Sequence, residues 1–105
     1  MQTESKMQPP KKSEVADTVE RVTERFRADL PARLETARQA LSEWERTGHP
    51  REVLRQLHSL VGACGIFGFP TFGLRIRALH EAVVAGAPLG DVQAELGRLC
   101  TEEPA

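Results

Sequence analysis

Three times in this chain a glycine is followed, two residues later, by a proline: Gly48-His49-Pro50, Gly68-Phe69-Pro70 and Gly86-Ala87-Pro88. Glycine takes the left-handed backbone that closes a helix at little cost. Proline lacks an amide hydrogen and holds φ at about −65°, so a helix accepts it readily only at its start. Each triplet therefore reads as the end of one helix and the opening of the next. The stretches between them carry one apolar stripe each. Leu30, Leu34, Ala37, Leu41 and Trp44 recur every three or four residues, and so do Val53, Leu57, Leu60, Cys64 and Phe67. Phe72, Ile76, Leu79 and Val83 repeat the pattern, as do Leu89, Val92, Leu96 and Leu99. That spacing puts each set on one side of an α-helix. No run alternates with period two and no Asn-Gly hairpin occurs, so strands are not expected.

A further stripe, Val15, Val19, Val22 and Phe26, precedes Pro31. A break or kink at Asp29-Leu30-Pro31 is expected to separate this first helix from the second. Short links favour antiparallel neighbours. The expected fold is all-α: an up-down four-helix bundle with an additional N-terminal helix packed across or capping it. Residues 1–12, polar with two prolines and two terminal lysines, read as a disordered tail, and 13–102 as the helical domain. The tail and the ending TEEPA suit a complete small chain.

At 105 residues there is room for one domain with a modest core. The formal net charge of −1 gives no electrostatic case for nucleic acid or a membrane surface. No apolar run spans a bilayer and the N-terminus has no signal-like apolar segment, which makes the cytoplasm the expected location. Cys64 and Cys100 lie on apolar faces, far apart in sequence, and read as packed thiols rather than a disulfide or a metal site. Trp44 reads as core or core rim, His49 as a loop residue, His80 as a rim residue, and Arg75 and Arg77 as a solvated face.

One stretch departs from this plain pattern. In LHSLVGACGIFGFP, Gly62 and Gly65 sit inside a helix, each costing about 0.5–1 kcal/mol relative to alanine. At 3.6 residues per turn, Arg51, Arg55, Gly62 and Gly65 share a face with His58, while Leu57, Leu60 and Cys64 point elsewhere. His58 should project from the surface with bare backbone beside it, leaving space for an adduct and for a partner to approach. An exposed neutral imidazole with no adjacent base or second ligand is suited to accept a phosphoryl group on nitrogen. The glycines are no P-loop, since Gly-Lys-Ser/Thr and a preceding strand are missing.

His58, Leu60, Gly62, the small Ala63 and Cys64, Gly68 ten positions after the histidine, and Leu79 on the following helix together resemble the signature of histidine-containing phosphotransfer (HPt) domains. The stretch Leu30-Pro31-Ala32-Arg33-Leu34 fits as well, and the resemblance spans roughly residues 13–101. It implies that His58 takes phosphate on its distal ring nitrogen from a receiver-domain aspartate and passes it to another, as a phosphohistidine carrier and not a stand-alone kinase. It implies a response-regulator receiver domain or hybrid histidine kinase as partner, no cofactor on this chain, and Mg²⁺ on the receiver. The docking surface would be the His58 face and part of the following helix, with Val61, Ile66 and Phe69 around it. Two positions depart from the pattern: Val61 stands where the family has lysine, and His80 where an acidic residue is usual, with Glu81 one place late. Arg55, on the same face, is the expected partial substitute for the lysine, with Arg51 more distant. Val61 keeps open an alternative, a degenerate module that sequesters a receiver domain or kinase without phosphotransfer. In a third reading, an unrelated helical adaptor, the glycines serve close helix packing.

Overall fold

The structure, a computed structural model, describes residues 12–105. It contains four helices: α1 (Lys12–Thr47), α2 (Arg51–Phe67), α3 (Pro70–Val84) and α4 (Leu89–Thr101), with no strand among the described residues. Consecutive helices pack on one another and α4 returns against α1, while the diagonal pairs make no contact, so the four close into a ring around one core. The expected tail lies, but for Lys12 at the start of α1, outside the described residues.

The three Gly-x-Pro triplets punctuate the chain as the sequence implies. Gly48, Gly68 and Gly86 have φ of 79°, 84° and 97° and are the positive-φ residues of the structure. Phe69 N–H donates to the Cys64 carbonyl at 2.9 Å across the turn after α2. Pro70 occupies the first helical position of α3, and Pro50 and Pro88 precede α2 and α4.

The expected break at Pro31 does not occur. α1 is one helix of 36 residues with Pro31 inside it, so the additional N-terminal helix is the leading part of the first bundle helix. An interior proline costs a helix about 3 kcal/mol. Leu30 and Leu34 flank it fully buried on the core side, and burying two such side chains gains about 3–6 kcal/mol in the helical register. Pro31 itself is exposed, so the carbonyl that loses its donor lies on the wet side of the helix.

The first stripe is also corrected. Phe26 is buried, stacked on Phe67 with ring centroids 4.8 Å apart, but Val15, Val19 and Val22 are exposed. At 1.5 Å per residue α1 runs about 54 Å against about 25 Å for α2, so its leading turns outrun most of the bundle and the end of α2 covers them only in part. The core comes from the remaining stripes: Leu30, Leu34, Ala37 and Leu41 with Val53, Leu57, Leu60 and Cys64, then Phe72, Ile76, Leu79 and Val83 with Val92, Leu96 and Leu99. Trp44 lies at its rim.

Two features fix α3. Gly73 is buried where α3 crosses α2, and a Cβ built there would lie 3.1 Å from the Cys64 Cβ. On the opposite side Arg75 pairs with Glu95 at 3.2 Å and with Glu102, tying α3 to α4 and the C-terminal segment. Phe72 N–H, in the first turn of α3, donates to the Ala105 carbonyl at 2.6 Å.

Candidate functional site

The rotation of α2 is set by Val53, Leu57, Leu60 and Cys64, all essentially inaccessible to solvent. His58, one position past Leu57, is thereby turned out and exposed. It borders two grooves. One, of about 530 Å³, runs between α2 and α3 and is lined by His58, Val61, Arg77, His80, Glu81 and Val84. The other lies toward the start of α2, where Arg51, Leu54, Arg55 and His49 meet His58.

Gly62 and Gly65 face open space. No atom lies within 4 Å of where their β-carbons would be, so the fold does not require glycine at either position. The close-packing explanation belongs to Gly73, which the apolar pattern did not single out. The signal for it was a glycine between Phe72 and Ile76, opposite small Cys64.

The residues expected around His58 divide. Arg51 and Arg55 share its groove, as their spacing implies. Arg55 is engaged, however: its guanidinium donates to both Glu52 oxygens, at 3.1 Å and 2.5 Å. These hydrogen bonds hold the Glu52 carboxyl below its ordinary range and raise the Arg55 guanidinium above its own. Val61 is half-buried on the α3 side. Ile66 is exposed but lies beside Val19, Val22 and Phe67, in a groove against the leading half of α1 that does not include His58. Phe69, expected near the docking surface, is buried in the core beside Phe26 at 5.6 Å and is excluded from it. Arg75, held by two carboxylates, is no solvated free cation.

Two residues are brought to His58 from α3 that linear spacing did not associate with it. The His80 ring lies 6.1 Å from the His58 ring, centroid to centroid, and Arg77 lines the same groove. Their arrival follows from Gly73. The two-residue turn makes α2 and α3 antiparallel neighbours. Moving away from the turn, His58 lies six residues from Cys64 and His80 seven from Gly73, about two turns each. The Cys64–Gly73 contact thus sets them level.

No charged or polar side chain is buried among the described residues, and no three metal-ligating side chains cluster. The Cys64 thiol is pushed up by burial, with the nearby Arg33 charge opposing, and is unsuited to react. What the site offers is an accessible imidazole, cations around it and open backbone beside it.

The sequence matches the Hpt domain family over residues 21–102, most of the chain, from within α1 to just past the end of α4. The chain belongs to the Hpt domain family, whose members carry out histidine phosphotransfer in phosphorelays, typically with receiver domains and histidine kinases. No curated protein and no solved structure matches it. No helix among the described residues is long and apolar enough to cross a membrane.

Proposed function

We propose that this protein is a phosphorelay intermediate with His58 as its phosphoacceptor. Nε2 of neutral His58 attacks the phosphorus of a receiver-domain aspartyl phosphate. The N–P bond forms as the P–O bond to the aspartate breaks, and the carboxylate leaves as an anion. The ring keeps its proton on Nδ1, so the dianionic donor becomes one carboxylate and one singly negative phosphoimidazolium. The step needs no base on this chain, because the attacking nitrogen is already unprotonated and the leaving carboxylate takes no proton. The receiver supplies Mg²⁺ and the remaining catalytic groups, and the exchange takes place in the cytoplasm. The observation that carries this reading is the exposed His58 flanked by Gly62 and Gly65, whose bare backbone faces open space at a cost the fold does not demand.

Val61 supports a second reading, in which the same face binds a receiver domain or kinase and sequesters it without carrying phosphate. One experiment separates the two: incubation with a panel of ³²P-phosphorylated receiver domains, with His58→Gln in parallel. Acid-labile label on the wild type and none on the variant is the expected result. Equal receiver binding by both proteins with no transfer to either would replace the carrier by the sequestering module.

A further inference from the structure

A phosphoryl group on His58 brings two negative charges into a groove where the lysine of the family pattern is replaced by Val61, which cannot neutralise them. Arg55, the nearest substitute on the same helix, already gives its guanidinium to Glu52. On α3, Arg77 lines the groove with His58 and Val61, is exposed, and has no ion-pair partner among the described residues. Arg75 and Arg98 differ: Arg75 is held by Glu95 and Glu102, and Arg98 by Glu95. Glu81, one turn beyond Arg77 in the same groove, is the competing anion, yet no ion pair joins them. Arginine followed four residues later by glutamate is the less favourable order for a helical pair.

We propose that Arg77 binds the phosphoryl group of phosphorylated His58 from across the groove, taking over from α3 the neutralising role that α2 lacks. This rests on His58 being the phosphoacceptor. A guanidinium presents a planar fork of donors to phosphate oxygens and keeps its charge throughout. Val61 gives the α2 side of the groove an apolar wall instead of a competing cation. Arg77 therefore assists both arrival of the phosphoryl group and its retention, and the groove between α2 and α3 is the side of His58 on which the phosphoryl group rests.

The test uses phosphoramidate, so that no receiver domain contributes docking contacts. His58 Nε2 bonds to phosphorus, the P–N bond to ammonia breaks, and the zwitterionic donor releases ammonia without needing a further proton. Initial rates of phosphohistidine formation are followed by ³¹P NMR for wild type, Arg77→Ala, Arg77→Lys, Arg55→Ala, Glu81→Gln and His58→Gln, with far-UV circular dichroism to verify folding. Arg77→Ala should slow the reaction about two- to fivefold, the range of an exposed charge contact. Arg77→Lys should recover most of the loss, Arg55→Ala should leave the rate unchanged, and Glu81→Gln should raise it. An Arg77→Ala rate equal to wild type, or a loss found in Arg55→Ala instead, overturns the assignment while leaving His58 as the acceptor. A wild type no more reactive than His58→Gln overturns the acceptor reading, and this one with it.

Discussion

Replacing Gly62 and Gly65 by alanine should make the protein more stable. Both lie inside α2, and a β-carbon at either position meets no atom within 4 Å. The change therefore brings only the backbone term, about 0.5–1 kcal/mol per site and about 1–2 kcal/mol for the pair. For a domain of this size each site corresponds to a rise of about 2–8 °C in Tm. Gly73→Ala carries the same backbone gain but puts its β-carbon 3.1 Å from that of Cys64, an atom fixed to the α2 backbone in the core. Close contact offsets the gain, so its Tm should stay level or fall. Thermal and urea unfolding by circular dichroism would rank the three variants. A loss of stability in Gly62→Ala or Gly65→Ala would refute the argument, because it would mean the fold itself needs glycine there. The functional half uses Gly62→Leu: the folded protein should remain intact while transfer from a phosphorylated receiver drops at least tenfold. Unchanged transfer would show that the bare backbone does not serve partner approach.

Two further expectations concern other parts of the bundle. Burial raises the Glu95 carboxyl, but the hydrogen bonds from Arg98 and Arg75 outweigh it and leave the group below its ordinary value of 4.5. A lowered folded value means this cluster's stabilisation is complete above that ordinary value and is lost as pH falls through the lower folded one. The acid-induced drop in Tm should accordingly be smaller in Glu95→Gln than in wild type, and parallel melting curves from pH 7 to 3 would count against the cluster's role. For the thiols, Cys100 is half-buried and Cys64 fully enclosed. Ellman's reagent should titrate Cys100 first in native protein and Cys64 only on unfolding. Two equal fast phases would contradict the packing of Cys64 against α3.

Much of this architecture is written in local pattern. A glycine that must adopt positive φ and a proline that must begin a helix act within a few residues, so Gly48, Gly68 and Gly86 and the prolines after them mark the turns directly. The stripes through Leu57 and its equivalents locate the core because a helix has one period. The same arithmetic turns His58 outward, and it aligns Arg51 and Arg55 with it. Tertiary structure decided where local rules compete or where an element finds no partner. Pro31 should stop a helix on its own, but the burial of Leu30 and Leu34 carries α1 through it. Val15, Val19 and Val22 have the spacing of a core stripe yet stay exposed, since periodicity defines a face without supplying a surface to cover it. The meeting of His58 with His80 and Arg77 depends on the register between two helices. Gly73 against Cys64 sets that register, a contact across a turn that no helical period encodes.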